Sequence, residues 1–334
     1  MIGLVSVKHT VSDCRNIRDI DPCVCLNNRL VPNKISINCV GDSIDDYNID
    51  TILDQLNQQL LTNPELILDS FRLTKTSVTV IDDNYFGVLP FVDIEITDNP
   101  YLRFDNFTDS SLLAAASSTL KMFYAASNDL IADGVDGSEL LKVFNSFASL
   151  ESLTLKDIGI DRIARNTFDN QLQVRLRFID LSDNRISHID EYAFFELRNL
   201  RSLKLDNNSL VTLAANSLAI RLPSPVPMLL SLNANRLSAA QLSPIVFDNL
   251  QRPLILLIKS NQLDYFPESV FRQFIESDDN YFVDVGDNQF VCDCQRHRWL
   301  FLMKPHLRSK VINMYCNSAY SIWHYEDVAE TNCF

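Results

Sequence analysis

The chain has 334 residues, 46% of them hydrophobic, and its 43 acidic side chains against 29 basic ones give a formal charge of −14. That balance argues against nucleic acid, heparin-like polymers and acidic membranes as partners, because each is a polyanion that needs a basic patch; basic proteins and neutral sugars stay open. Seven glycines and no glycine-rich phosphate loop argue against a nucleotide enzyme.

Met1 to Val7 is apolar but short for a secretory signal, and Lys8 and His9 come directly after it. Cys14, Cys23, Cys25 and Cys39 come next, and no further cysteine appears before Cys292, Cys294, Cys316 and Cys333 near the other end. Two even-numbered terminal clusters favour disulfides, and hence an oxidising compartment, over catalysis. Zinc is the rival for the second cluster, with His297 and His306 nearby, but Cys-x-Cys lacks the usual ligand spacing. No metal or other cofactor is expected. Export is expected, with the signal removed or missed when the start was assigned. Ile49, Ile52, Leu53, Leu56 and Leu60 then recur at helical spacing, which predicts a helix packed on the first cysteine cluster or on the edge of the main body of the chain, with a partner-binding helix as the alternative.

From Leu68 onward the template L-x-x-L-x-L-x-x-N-x-L recurs in nine registers, starting at Leu68, Phe91, Leu120, Leu150, Leu176, Leu200, Pro227, Pro253 and Asn280. The starts lie 23 to 30 residues apart, which is the period of leucine-rich repeats. Each unit offers a short strand whose inward residues, such as Leu203 and Leu205, are buried only when neighbours stack. The expected fold is therefore α/β: a leucine-rich-repeat solenoid, or horseshoe, with a concave parallel β-sheet and a disulfide cap at each end. Its expected segments are 1–13 as a residual N-terminal piece, 14–67 as the first cap and helical insert, 68–290 as about nine repeats, and 291–334 as the second cap. An asparagine closes the strand at Asn99, Asn128, Asn184, Asn208, Asn235, Asn261 and Asn288. Thr76 and Ile158 replace it in the other two registers, where irregular turns are expected. Phe86, Phe168, Phe194 and Phe271 each fall eighteen residues after a register's start and read as an aromatic spine under the convex face.

Strand alternation assigns the solvent-facing side chains of the sheet. Template position five reads Arg72, Glu95, Tyr124, Thr154, Asp180, Lys204, Ser231, Leu257 and Asp284; position three reads Ser70, Asp93, Met122, Ser152, Phe178, Ser202, Leu229, Ile255 and Phe282. Leu229, Ile255, Leu257 and Phe282 thus gather on the last three strands. Met122, Tyr124 and Phe178 are apolar outliers elsewhere on the sheet. Together these seven form the expected partner-binding surface, since exposed apolar patches of a few hundred Å² usually mark interfaces. A slip of one residue in the apolar run Pro253 to Ile258 would bury Leu257 and expose Leu256 instead. A covering loop at Pro223 to Pro227 is the other alternative. Asn106-Phe-Thr108 and Asn207-Asn208-Ser209 are glycosylation sequons; the first is sterically open and the second adjoins the crowded Asn208. Neither a His-Glu-x-x-His nor a Gly-x-Ser-x-Gly motif occurs, and Asp180, Asp183 and His188 form no evident acid–base set, so no enzyme is expected.

On these motifs the stretch from Cys14 to Cys333 resembles extracellular leucine-rich-repeat proteins with N- and C-terminal cysteine caps, a group of receptor ectodomains and secreted binding proteins. More narrowly, its Cys23-x-Cys25 cap, helix-like insert, uneven middle repeats and terminal cap look like arthropod proteins similar to the non-catalytic leucine-rich-repeat subunit of Oplophorus-type luciferase. The first resemblance implies the pairs Cys14–Cys25, Cys23–Cys39, Cys292–Cys316 and Cys294–Cys333, and a cap helix at Trp299, Leu300, Phe301 and Leu302. It also implies a secreted, non-catalytic module that engages a protein partner through the concave face, for example as a stabilising or regulatory subunit. A receptor or adhesion ectodomain without its membrane anchor is the alternative. No membrane-inserting segment is expected in the chain, and the sequence leaves the partner's identity and the oligomeric state open.

Overall fold

The computed structural model describes residues 14–27, 34–62, 68–80, 89–103, 118–128, 137–168, 175–221, 223–250, 252–277, 280–291 and 294–315. The chain divides into two compact units, Met1–Ala132 and Asp133–Phe334. In the first, β1 (Val24–Asn27) runs antiparallel to β2 (Ile35–Val40). β2 then lies parallel to β3 (Leu68–Thr74), which is succeeded by β4 (Asp93–Thr97) and β5 (Met122–Ala126) in chain order. The inward residues Ile37, Phe71, Ile94 and Phe123 stand in register and are at most 2% exposed.

The 17-residue helix α1 (Asp46–Thr62) connects β2 to β3. It starts where Asp45 and Asn48 exchange side-chain to backbone hydrogen bonds at 3.0 and 3.1 Å, a reciprocal cap that satisfies two otherwise unpaired N–H groups. Ile49, Ile52, Leu53 and Leu56 are buried as their spacing predicts, whereas Leu60 stays half-exposed near the helix end. Polar anchors fix the helix at both ends: the Asp46 carboxylate accepts from Thr79 N and Oγ1 at 2.7 and 2.6 Å, and Gln59 exchanges two bonds with the Arg18 backbone. This is the packed, structural helix of the expectation. Disulfides Cys14–Cys25 and Cys23–Cys39 close the cap in the implied pairing. Cys39 sits on the inward face of β2, so the cap strand is joined to the core it covers.

The second unit begins with a short helix α2 (Gly137–Val143). Its main strands are β6 (Ser152–Lys156), β8 (Phe178–Asp180), β10 (Ser202–Lys204), β11 (Met228–Ser231), β12 (Leu254–Leu257), β13 (Phe282–Asp284) and β14 (Val311–Ile312), all parallel and in that order. Leu153, Ile179, Leu203, Leu230, Leu256 and Val283 face one another along the core and are at most 1% exposed. Beyond the turns, β7 (Arg162–Ile163) pairs with β9 (His188–Ile189) in a second, two-stranded sheet. The aromatic spine is formed in pieces. Phe168 stacks on Phe194 at 5.8 Å, and Phe271 of α3 (Glu268–Ser277) stacks on Phe266 at 4.1 Å, which in turn meets Trp299 at 5.7 Å. Phe86 lies outside the described residues. Trp299 belongs to α4 (Cys294–Phe301), where Trp299 and Leu300 are buried, while Leu302 just beyond it is 59% exposed. The side chains of Cys292, Cys294, Cys316 and Cys333 lie outside the described structure, as does Asn106.

One turn geometry recurs in all nine registers. The residue before the asparagine position has a left-handed backbone, with φ between 50° and 61° at Lys75, Asp98, Ser127, Asp157, Asp183, Asn207, Ala234, Ser260 and Asp287. The turns at Thr76 and Ile158 are therefore regular, contrary to the expectation. Thr76 N–H and Oγ1–H instead donate to Asn99 Oδ1 at 3.0 and 2.7 Å, and Ile158 N–H and Ile160 N–H both donate to Asn184 Oδ1 at 3.2 Å. These turns thus keep the bonds that the next repeat's asparagine accepts in the regular turns.

The same reach backwards operates elsewhere. Asn208 Nδ2 donates to Leu205 O and Asp206 O in its own turn and to Leu181 O one repeat earlier, while its Oδ1 accepts from Ile186 N–H of that earlier repeat at 2.9 Å. Asn235, Asn261 and Asn288 repeat the pattern. Removing such an amide leaves buried backbone groups unpaired, so Asn184→Ala and Asn208→Ala are each expected to destabilise by about 1–3 kcal/mol in denaturant titrations. Gln58→Ala on the exposed side of α1 should stay within about 0.5 kcal/mol of the parent. A second expectation concerns the cysteines: reductant, and not chelator, should lower the melting temperature, each lost bond removing about 2–4 kcal/mol. Non-reducing peptide mapping should recover the two first-cap pairs together with Cys292–Cys316 and Cys294–Cys333.

Candidate functional site

The outward side chains of each sheet are fixed by the strand register. In the second unit Leu229, Ile255 and Phe282 stand directly beside one another on β11, β12 and β13, with Leu257 on the next outward row between Ser231 and Asp284. Leu254 and Leu256 are fully buried, whereas Ile255 is 40% and Phe282 42% exposed and Leu257 is half-buried. The one-residue slip is thereby excluded. The exposure of Ile255 and Phe282 shows that the Pro223–Pro227 loop does not cover those two residues; its Ser224 and Pro225 line a cavity of about 570 Å³ with Phe247, Arg252, Phe274 and Tyr281. Phe178 is exposed on β8 in the same row but is separated from Leu229 by Ser202, about 10 Å at the usual strand spacing.

The polar residues flanking this apolar row are bonded to one another. Asp206 accepts from Ser231 Oγ at 2.5 Å and from Asn233 N–H at 2.7 Å; Asp284 accepts from Asn313 Nδ2 and Gly286 N–H; Lys204 lies 3.6 Å from Asp180. They shape the border without competing for the apolar centre. Asp183, in the left-handed turn, is drawn two ways: burial opposes its ionisation, but hydrogen bonds from Asn207 and Lys156 prevail and hold its carboxyl below the usual range. Asn207 is exposed, with its amide directed at Asp183 at 2.8 Å. His188 sits on β9, and its Nε2 lies 3.0 Å from Asp190 Oδ1. His297 is buried and accepts a hydrogen bond at Nε2 from Phe266 N–H.

In the first unit the outward face of β3, β4 and β5 encloses a cavity of about 510 Å³. Asp93 stands between Ser70 and Met122, and Glu95 between Arg72 and Tyr124. Met122 and Tyr124 are 48% and 37% exposed. Burial, and then the nearby Asp69, push the Asp93 carboxyl up, against the pull of Lys34 and Lys121.

Residues 148–210 match the leucine rich repeat family model. Opticin from Bos taurus is 32% identical over 125 residues, a match covering 37% of each chain. A chain of the octameric complex of Latrophilin 3, Unc5D and FLRT2 (LRR) superposes with a TM-score of 0.54 at 16% identity, covering 92% of this chain and 97% of that one. A chain of the TLR13–ssRNA13 complex gives a TM-score of 0.56 at 20% identity, over 75% of this chain and 31% of that one. The fold is a leucine-rich-repeat solenoid. The solenoid's matches to opticin and to the TLR13 chain span only about a third of those proteins, so the likeness concerns the repeats.

Sequence reasoning missed three features of the repeats. β14 adds a strand after the ninth register and brings Ile312, 41% exposed, beside Asp284. α2 lengthens the 30-residue spacing with Leu140 and Leu141 buried, a pattern only seven residues long. Arg252 is buried and donates to Leu200 O and Arg198 O at 2.6 and 2.8 Å; burial pulls its pKa down, and no local sequence pattern marks it. The register itself is testable by substitution. Leu256→Asp places a charge in the core and should abolish cooperative melting, whereas Phe282→Asp, half in solvent, should shift stability by less than about 1 kcal/mol.

Proposed function

We propose that the chain is a non-catalytic, extracellular protein-binding module whose outward strand faces engage a protein partner. The observation that carries this reading is the aligned row Leu229, Ile255 and Phe282, with Leu257 beside it: Ile255 and Phe282 are exposed, Leu229 and Leu257 half-buried, and the polar neighbours bond among themselves. Apolar side chains of this size on adjacent strands are the usual anchors of an interface, and bonded polar residues around them suit a rim. Phe178, Met122 and Tyr124 are further outward-facing contacts. Disulfides in the first cap support an oxidising compartment, and likeness to a chain of the Latrophilin 3, Unc5D and FLRT2 assembly supports a protein partner. A nucleic-acid partner, as in the TLR13–ssRNA13 complex, is disfavoured by a charge of −14.

A stabilising or regulatory subunit of a secreted complex, the role implied by the resemblance to the Oplophorus-type luciferase subunit, is one form of this function. A receptor or adhesion ectodomain is the alternative, favoured by the near-complete overlap with the FLRT2-complex chain. The test is affinity capture of partners by the oxidised protein from native extracellular fluid, then titration of the purified partner. Ile255→Asp and Phe282→Asp should each weaken binding by more than about tenfold, a loss above about 1.4 kcal/mol, with melting unchanged. Unchanged affinity in both variants would place the interface elsewhere.

A further inference from the structure

We infer that the outward face of β3, β4 and β5 is a docking site for a single basic side chain, a lysine or arginine carried by a protein partner. The inference rests on the protein-binding reading above for the carrier of the cation, but the site has its own chemistry and lies within the first unit. Its cavity of about 510 Å³ is lined by Ser70, Arg72, Asp93, Glu95, Met122 and Tyr124, among others.

Most of the polar groups on this face are already matched. Ser70 Oγ donates to Ser36 Oγ at 2.6 Å, Thr74 and Thr97 share a hydrogen bond at 3.0 Å, and the Arg72 guanidinium is neutralised by Glu95 at 2.7 and 2.8 Å. Lys34 is paired with Asp69 at 2.5 Å. The Asp93 carboxylate has no hydrogen-bond or ion-pair partner among the described residues, although it is half-buried and has Asp69 nearby. Burial, and then the nearby Asp69, push its carboxyl up, while Lys34 and Lys121 attract it without donating a hydrogen bond. An incoming cation would supply the missing donor and a charge of the right sign.

The two sides of the cavity define the rest of the ligand. Tyr124 presents a ring to a cation, and Met122 offers an apolar surface to the stem that carries it. A neutral apolar group would bury Asp93 further with nothing in return, and an anion would meet Asp93, Glu95 and Asp98. A positive head on an aliphatic stem satisfies both sides.

The test uses the full oxidised chain and a fluorescently labelled peptide, Gly-Phe-Arg-Phe-Gly, with its neutral citrulline counterpart. Binding is read by fluorescence polarisation in about 0.15 M salt, where long-range attraction to the acidic chain is largely screened. The arginine peptide should bind about tenfold tighter than the citrulline peptide, and Asp93→Asn should abolish that preference. Tyr124→Ala should weaken the arginine peptide, and Asp54→Asn, on the exposed side of α1, should change neither peptide. Thermal melting of each variant verifies folding. Equal binding of the two peptides to the parent, an unchanged preference in Asp93→Asn, or an equal loss in Asp54→Asn would overturn the inference. Ile255→Asp and Phe282→Asp leave this site intact, so their failure with the captured partner is distinguishable from failure here.

Discussion

Every repeat strand of this chain ends in a turn whose buried N–H and C=O groups cannot all be satisfied within that turn, and the rest of the structure depends on how they are paired. The asparagine amides solve the problem between repeats: an amide such as Asn235 donates within its own turn and to the previous one, and accepts from the previous one as well. The apolar residues of each repeat would collapse without it, but collapse has no register. The amides supply it, because their donors and acceptors meet only when successive strands align as Leu203, Leu230 and Leu256 do.

That arrangement separates two jobs along a single strand. Inward residues and turn amides maintain the stack, and outward residues such as Ile255 and Phe282 are left exposed. On β11 to β13 the outward row is apolar and the polar residues beside it are bonded laterally. On β3 to β5 the outward face is mixed: Met122 and Tyr124 are exposed beside polar residues that include the pairs Ser70–Ser36, Arg72–Glu95 and Thr74–Thr97. The same backbone thus presents surfaces of different chemistry in the two units, and a partner meeting them would be selected by apolar contact at one and by charge at the other.

Much of this was legible in the sequence because repetition overrides local ambiguity. Pro253 to Ile258 is apolar throughout and gives no alternation of its own; the neighbouring registers point to Leu256 in and Leu257 out, and the burial of Leu256 settles it. The pairing of the first cap's cysteines came from resemblance. What escaped detection depended on contacts between residues distant in sequence. Thr76 and Ile158 looked like breaks because the template scores each turn by its own residue, while the structure satisfies them with Asn99 and Asn184. Arg252 reaches carbonyls more than fifty residues away, and β14 has only two paired residues. Asp93 was visible as an outward carboxylate; that it lacks a partner was not, since this depends on Arg72 choosing Glu95 and Lys34 choosing Asp69.

None of the nine left-handed turn positions holds glycine, the residue that adopts this conformation without strain; Lys75 and Ala234 are among the least suited to it. Lys75 and Ala234 each forgo roughly 1 kcal/mol of stability relative to a relaxed backbone, partly offset by the greater freedom glycine would have when unfolded. Thermal robustness could be raised there, one repeat at a time, without altering a single outward-facing residue of the strands.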